Sequence, residues 1–316
     1  MAFEVPKTAY SGKVKEMTLG NGDKAVTVGG ESCYPFYLFE GEMPRKPRIA
    51  MEVWDMPPEG WAPAALEPFQ GVTDDPVAWA RKCIDDYGAE MICLQLISTD
   101  PNGQDRPAEE AAAVVKKVAD AIDVPLIVWG TANHDKDTEV LRQVAEICQG
   151  KNLILGPLEE GDYKKIGAAA IGYQHTVISS SPIDINLAKQ LNILLGNLGV
   201  PENKVIMDPT VSCIGYGIEY CYSVMERMRM AGLTQQDEKL QFPLICNISK
   251  EAWKTKEVHI PTAEDPKLGD AKKRGILLEA MSAVVLLLAG GDVMIMRHPE
   301  AIELVRETIA ELTAAG

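Results

Sequence analysis

Three charged residues in this 316-residue chain stand at the ends of short apolar runs: Asp208 closes VIMD, Lys250 follows LICNIS, and Arg297 follows VMIM. A carboxylate so placed can accept hydrogen bonds from a planar ligand or move a proton, and an ammonium or guanidinium can hold an anionic group. Polar residues occupy the same position after other apolar runs: Trp54-Asp55, Ser98-Thr99-Asp100, Thr131-Ala132-Asn133-His134, Ser179-Ser180-Ser181 and, beyond Asp208, Thr210. His134 and Asp135 form a candidate acid/base pair, but sequence neighbours rarely face each other and no serine or cysteine nucleophile is placed beside them. The four histidines lack metal-ligand spacing. Seven cysteines lie far apart without a CxxC pair, most of them inside apolar runs where they act as small hydrophobes, and Cys213 alone falls in a loop with functional neighbours.

What must position these groups is legible from the patterning. Eight short apolar segments, 49–54, 91–97, 126–129, 153–155, 176–179, 205–207, 244–248 and 293–296, alternate with amphipathic segments near 75–87, 107–121, 137–149, 162–173, 184–198, 218–231, 272–289 and 299–313. Asp75-Pro76 and Arg106-Pro107 mark helix starts; Gly88, Gly150, Gly199 and Gly232 mark ends. Strands and helices alternating over short connections imply parallel strands with right-handed crossovers. Eight such units predict an α/β fold, a closed (βα)8 TIM barrel, whose carboxyl-terminal strand ends converge on one mouth. Pro209 cannot continue a ladder, so the sixth strand stops there and Asp208 is left at that mouth. The polar strand ends together predict a ligand-facing ring.

Ahead of the barrel, residues 15–19 and 24–28 flank Asn21-Gly22, a β-hairpin signal. The expected division is therefore a hairpin and aromatic cover segment over 1–47 and the barrel over 48–316. The loop 254–269, with two prolines and mixed charge, is long enough to be a lid or docking surface.

With 46 acidic against 31 basic residues the net charge is -15, which argues against nucleic acid and against an anionic membrane face. The longest apolar run, 276–291, is interrupted by Glu279 and short for a bilayer, and the amino terminus lacks a signal-peptide pattern. A cytoplasmic protein is expected.

Several stretches together resemble one family. AVTVGGESCYPFYLFEGEMPRKPRIAMEVWD (Ala25–Asp55), VIMDPTVSCIGYGIEYCYS (Val205–Ser223) and GGDVMIMRHPEAI (Gly290–Ile302) are similar to the small subunit of the corrinoid iron-sulfur protein of the reductive acetyl-CoA (Wood-Ljungdahl) pathway of carbon fixation, the delta-type subunit of acetyl-CoA decarbonylase/synthase. The resemblance covers essentially the whole chain. It implies a barrel in a heterodimer with a larger subunit that carries a 4Fe-4S cluster and the cobalamin-type corrinoid. It further implies methyl transfer from methyltetrahydrofolate, through a separate methyltransferase, to cob(I)amide and on to acetyl-CoA synthase/CO dehydrogenase. The absence of a cysteine cluster motif and of a DxHxxG corrinoid signature agrees with that division of labour. The mouth is then expected to cap the partner's corrinoid, with Trp54, Thr131, Asn133, Ser180, Asp208, Thr210 and Arg297 facing it by strand-end position. No catalytic or metal-binding residue is expected in this chain.

A more distant likeness is to pterin-binding barrels, the dihydropteroate synthase and methyltetrahydrofolate methyltransferase group. It rests on Asp208-Pro209-Thr210 with Gly215-Tyr216-Gly217, Ser249-Lys250 and Arg297-His298. Two departures stand out: Asp208 is followed by Pro-Thr rather than Pro-Gly, and Lys250 follows Ser249 without an intervening arginine. The alternative it implies is a barrel that itself binds a pterin and catalyses methyl transfer.

Overall fold

A computed structural model describes residues 5–314. Strands β1 (Met17–Leu19) and β2 (Val26–Val28) pair antiparallel as the hairpin. The parallel strands follow: β3 (Arg48–Trp54), β4 (Met91–Gln95), β5 (Leu126–Trp129), β6 (Ile154–Leu158), β7 (Thr176–Ser180), β8 (Val205–Asp208), β9 (Ile245–Asn247) and β10 (Val293–Met296). Each pairs with its sequence neighbour, β10 pairs with both β3 and β9, and a bridge between Met207 and Leu244 closes the ring as a TIM-type barrel.

The main helices are α2 (Pro76–Asp85), α3 (Ala108–Ala121), α4 (His134–Ile147), α5 (Tyr163–Tyr173), α6 (Ile185–Leu198), α7 (Ile218–Thr234), α10 (Ala271–Leu288) and α11 (Pro299–Ala314), with single-turn helices α1 (Pro63–Leu66), α8 (Ile248–Ala252) and α9 (Lys256–His259) in the loops. Caps set several starts: Asp75 accepts from Val77 N with Pro76 in the first turn, and Asp184 accepts from Asn186 and Leu187 N. Helix α4 begins three residues before the predicted 137 because the Asn133 side chain accepts from Lys136 N. Strand β6 runs on to Leu158, past the predicted 155, and the register against β7 breaks between Leu155 and Leu158, the irregularity that lets Pro157 sit in a strand. Loop 254–269 is held rather than free: Arg274 donates to the carbonyls of Glu257, Ile260, Leu268 and Gly269.

One apolar layer lies between sheet and helices. A second fills the barrel, where Ala50, Cys93, Ile127, Ile154, Ile178, Ile206, Ile245 and Ile295 meet Met17, Leu19, Val26 and Val28 of the hairpin. The hairpin therefore plugs the amino-terminal end of the barrel, and Asn152, just ahead of β6, fastens it by donating to Gly20 O at 2.7 Å. A buried lock stands beside it. Arg229 on α7 donates to the Gly290 and Phe242 carbonyls and pairs with Asp292, which also accepts from Leu244 N. Gly290 has φ +106°, and a Cβ there would come within 2.5 Å of Arg229 Nε, so both conformation and space require glycine.

Candidate functional site

Strand periodicity builds the mouth. Two residues beyond each apolar side chain of the inner layer the same face continues. Ala50 leads to Glu52, Cys93 to Gln95, Ile178 to Ser180, Ile206 to Asp208, Ile245 to Asn247 and Ile295 to Arg297. The carboxyl-terminal layer of the interior is thus polar on six of eight strands. The remaining two contribute Trp129, which closes the floor, and Gly156, where a Cβ would meet Ile178 at 2.6 Å.

These groups largely pair with one another. Arg297 Nε donates to Glu52 Oε2 at 2.7 Å, and both side chains are buried. The other Glu52 oxygen accepts from Trp54 Nε1 at 2.9 Å, and the Arg297 guanidinium lies 3.5 Å from the Trp61 ring centroid. Ser180 Oγ donates to Asp208 Oδ2 at 2.8 Å and lies 3.4 Å from Thr210 Oγ1, while Thr210 N donates to Asp208 Oδ1 at 2.9 Å. Burial raises the Asp208 carboxyl to about 6 against those two donors. Gln95 Oε1 and Nε2 and Asn247 Nδ2 are buried without a partner.

Buried carboxylates staple the rim from behind. Asp137 on α4 accepts from Thr131 N, Thr131 Oγ1 and Ala132 N. Asp55 accepts from Ser98 N and Ser98 Oγ and lies 3.8 Å from Arg106. Glu279 on α10 accepts from Arg297 N at 2.5 Å, His298 N at 3.0 Å and Trp253 Nε1 at 2.8 Å. Burial lifts Glu279 to about 7 although all three donors pull it down. His298, stacked on Trp253 and buried, is pushed down to about 4. His134 turns its Nδ1 to Asp162 Oδ2 at 3.1 Å, which raises it; Asp135, its sequence neighbour, is not the partner.

Of the residues singled out by strand-end position, Ser180, Asp208 and Thr210 form one hydrogen-bonded group, and Trp54 and Arg297 a second through Glu52. Thr131 and Asn133 occupy a third place, the turn that opens α4, where the Asn133 carbonyl caps the helix and its amide faces solvent. Thr210 holds φ +58°, a left-handed conformation that a β-branched residue rarely adopts. Asn247, one of the polar strand ends, does close β9 at the mouth. Sequence reasoning passed over Glu52, Gln95, Asp137 and Glu279. For the first two a signal existed, a polar residue in phase with the inward apolar ones; Asp137 and Glu279 act from helices whose facing no strand pattern reveals. Among the described residues no cluster of three or more His, Cys, Asp or Glu side chains is arranged to hold a metal, and no helix is long and apolar enough to cross a membrane.

The raised Glu279 value has a testable consequence. Both folded and unfolded chains hold this proton below about pH 4.5. Between there and about 7 the unfolded chain releases it and the fold does not, so the stability it supplies is lost as pH rises through the folded value. His298 acts in the opposite sense, losing stability as pH falls toward 4. The difference in unfolding free energy between wild type and Glu279→Gln isolates the carboxyl. We expect it to shift against wild type by on the order of 3 kcal/mol from pH 4 to pH 8 in urea titrations. A difference independent of pH would show that folding does not shift the Glu279 carboxyl.

The model of the family described as CO dehydrogenase/acetyl-CoA synthase delta subunit matches residues 16–310. The acetyl-CoA decarbonylase/synthase complex subunit delta of Archaeoglobus fulgidus is 38% identical over 322 residues, covering 98% of this chain and 71% of that protein. Subunit delta 1 of Methanosarcina thermophila is 37% identical over 318 residues, covering 96% of this chain and 72% of its own length. Among solved structures, Xanthomonas albilineans dihydropteroate synthase with 4-aminobenzoic acid superposes with TM-score 0.60 at 12% identity, over 95% of this chain and 98% of that one. The Yersinia pestis dihydropteroate synthase with a sulfonamide drug gives TM-score 0.58 at 14% identity, over 86% and 95%. At such identities the likeness speaks to the barrel alone. The family match and relatives this similar over nearly the whole chain establish that the chain belongs to the CO dehydrogenase/acetyl-CoA synthase delta subunit family.

Proposed function

We propose that this chain is the barrel subunit of a corrinoid iron-sulfur methyl carrier, and that its mouth lies over a corrinoid held by a larger partner subunit. The partner carries the 4Fe-4S cluster. The complex takes a methyl group from methyltetrahydrofolate through a separate methyltransferase and passes it to acetyl-CoA synthase/CO dehydrogenase. The observation that carries this reading is that the charged members of the inner polar layer are tied up inside the barrel. With Glu52 bound to Arg297 and Asp208 to Ser180, the rim presents the hydroxyl, amide and ring groups of Thr131, Asn133, Thr210 and Trp54, with Tyr216 75% exposed on the loop after β8 and the half-buried Lys250 and Asp100 beside them. These groups fit a broad, amide-fringed macrocycle. They can donate and accept at its edge and cover its face, and the half-exposed His134 imidazole is held through Nδ1 by Asp162. The corrinoid supplies the methyl-accepting metal; the residues of this chain orient it and limit water at its exposed face.

The test is metal content and visible spectrum of the chain purified alone and co-expressed with the large subunit, with cobalt and iron expected only in the complex. Asn133→Asp keeps the helix cap but removes the amide donor, and Thr131→Val removes a hydroxyl. Each is expected to leave assembly intact and speed corrinoid loss by about 2- to 10-fold, the worth of one hydrogen bond. Unchanged corrinoid retention in both would sink the assignment of the mouth.

A second reading, a pterin site within the barrel, is favoured by the unpartnered Gln95 amide and Asn247 Nδ2 beneath the rim. Calorimetric binding of methyltetrahydrofolate by the isolated chain, lost in Asn247→Leu, would replace the first reading with it.

A further inference from the structure

Helix α10 ends at Leu288, just ahead of the first residue of β10, so its last turn lies at the amino-terminal end of the barrel, away from the mouth. There Leu288 and Ala289 line an open groove of about 340 Å³ between the aromatic cover segment and α7. Tyr222, Glu226 and Met230 are spaced four apart on α7, which puts them on one face of that helix, and all three line the groove. The cover segment contributes Tyr34 and Tyr37, whose ring centroids are 6.1 Å apart. Burial raises the Tyr34 and Tyr222 hydroxyls, so these rings stay neutral.

The charge of the groove is one-sided. Two carboxylates line it, Glu226 and Glu40, and no basic residue does. Glu40 accepts from Tyr10 Oη and Thr8 N, which hold its carboxyl below the usual carboxylate range. Glu226 is exposed beside Tyr34 and Tyr222 and makes no ion pair among the described residues. The basic residues on the same elements are elsewhere. Lys7 and Arg227 are exposed, Lys13 and Arg45 pair with Glu16, Arg229 is buried against Asp292, and Lys272, Lys273 and Arg274 stand at the opposite end of α10. Among the described residues no cation lies over the ring of Tyr34, Tyr37 or Tyr222. The carboxyl end of a helix adds partial negative charge of its own. Arg297 shows what such a setting holds, since its guanidinium lies 3.5 Å from the Trp61 ring centroid while its Nε donates to Glu52. The groove has the rings and the carboxylate of that arrangement without the cation, and Met230 and Leu288 to cover an aliphatic stem. We propose that it binds the guanidinium of an arginine carried on an extended segment of a protein that docks transiently. A small, open and largely polar groove suits a weak contact rather than a permanent one. The inference asks nothing of the mouth, so its failure leaves the carrier reading standing.

The experiment is isothermal titration calorimetry on the full chain, alone and co-purified with its larger partner subunit. The probes are the blocked peptide acetyl-Ala-Arg-Ala-amide, the same peptide with citrulline in place of arginine, and tetramethylammonium. We expect the arginine peptide to bind with a Kd on the order of 1 mM, and the uncharged citrulline peptide to bind at least about 10-fold more weakly. Glu226→Gln and Tyr222→Leu should each weaken the arginine peptide by about 5- to 10-fold. Glu219→Gln, at the other end of α7, should leave it unchanged. Glu226 is in water, so Glu226→Gln should not move thermal unfolding, which separates a lost contact from a damaged fold. Equal affinity for the arginine and citrulline peptides, or no binding of either, overturns the proposal. Tetramethylammonium binding more tightly than the arginine peptide gives the groove to a quaternary ammonium and overturns it as well. Loss of peptide binding once the partner subunit is attached shows that subunit to cover the groove and overturns transient docking.

Discussion

Arg297→Met is expected to lower the stability of the chain by about 3–5 kcal/mol, the usual consequence of leaving one member of a buried ion pair alone. Glu52 is fully buried and its oxygens are committed to Arg297 and Trp54, so loss of the guanidinium strands a carboxylate at the mouth of the barrel. The Trp61 ring also loses the cation lying over it. The pair itself is a separate matter, because desolvation of two charges offsets most of their attraction. The double variant Glu52→Leu with Arg297→Met should therefore recover most of the loss. Guanidinium unfolding midpoints decide it: a double variant no more stable than Arg297→Met alone would mean that the pair itself, rather than the stranded charge, carries the stability. Asn133→Asp, on the same mouth but exposed, should move the midpoint little.

The lock at the other end of the barrel predicts an asymmetry. Arg229 is the one cation facing two buried carboxyls, Asp292 and Glu31, and burial together with the Asp292 charge holds Glu31 well above the usual carboxylate range. Arg229→Met should cost about 3–5 kcal/mol by exposing Asp292 to an apolar surround without its partner and freeing the Gly290 and Phe242 carbonyls. Glu31→Gln, which keeps the shape of a carboxyl that burial and the Asp292 charge push toward its neutral form, should stay within about 1 kcal/mol of wild type. Faster hydrogen exchange over residues 14–33 in Arg229→Met would place the damage where the hairpin segment meets the barrel. If Glu31→Gln were as damaging as Arg229→Met, Glu31 would be ionised and a direct partner of the arginine.

Most of the barrel was legible because its signals are local. Period-two apolar segments, proline and glycine punctuation and helix caps act within a few residues of one another, and they place all eight parallel strands and their helices to within a few positions. Where the reading drifted, at the start of α4 and the end of β6, the cause was again local, a cap by Asn133 and a register break that tolerates Pro157; α7 also runs through Gly232, read as its end, to Thr234. The hairpin signal at Asn21-Gly22 was likewise local, but nothing near it says that its apolar face plugs the barrel.

The mouth divides along the same line. The sequence by itself determined which strand ends would be polar, since side-chain parity along a strand is a property of the strand alone. It could not determine how those groups pair. Asp208 meets Ser180 across 28 positions, Arg297 meets Glu52 across 245, and Glu279 reaches the mouth from the inward side of a helix whose outward side is equally apolar. Partner choice, burial and the shifted protonation of Asp208, Glu279 and His298 all depend on distances set only when the barrel closes, because ring closure brings the last strand beside the first.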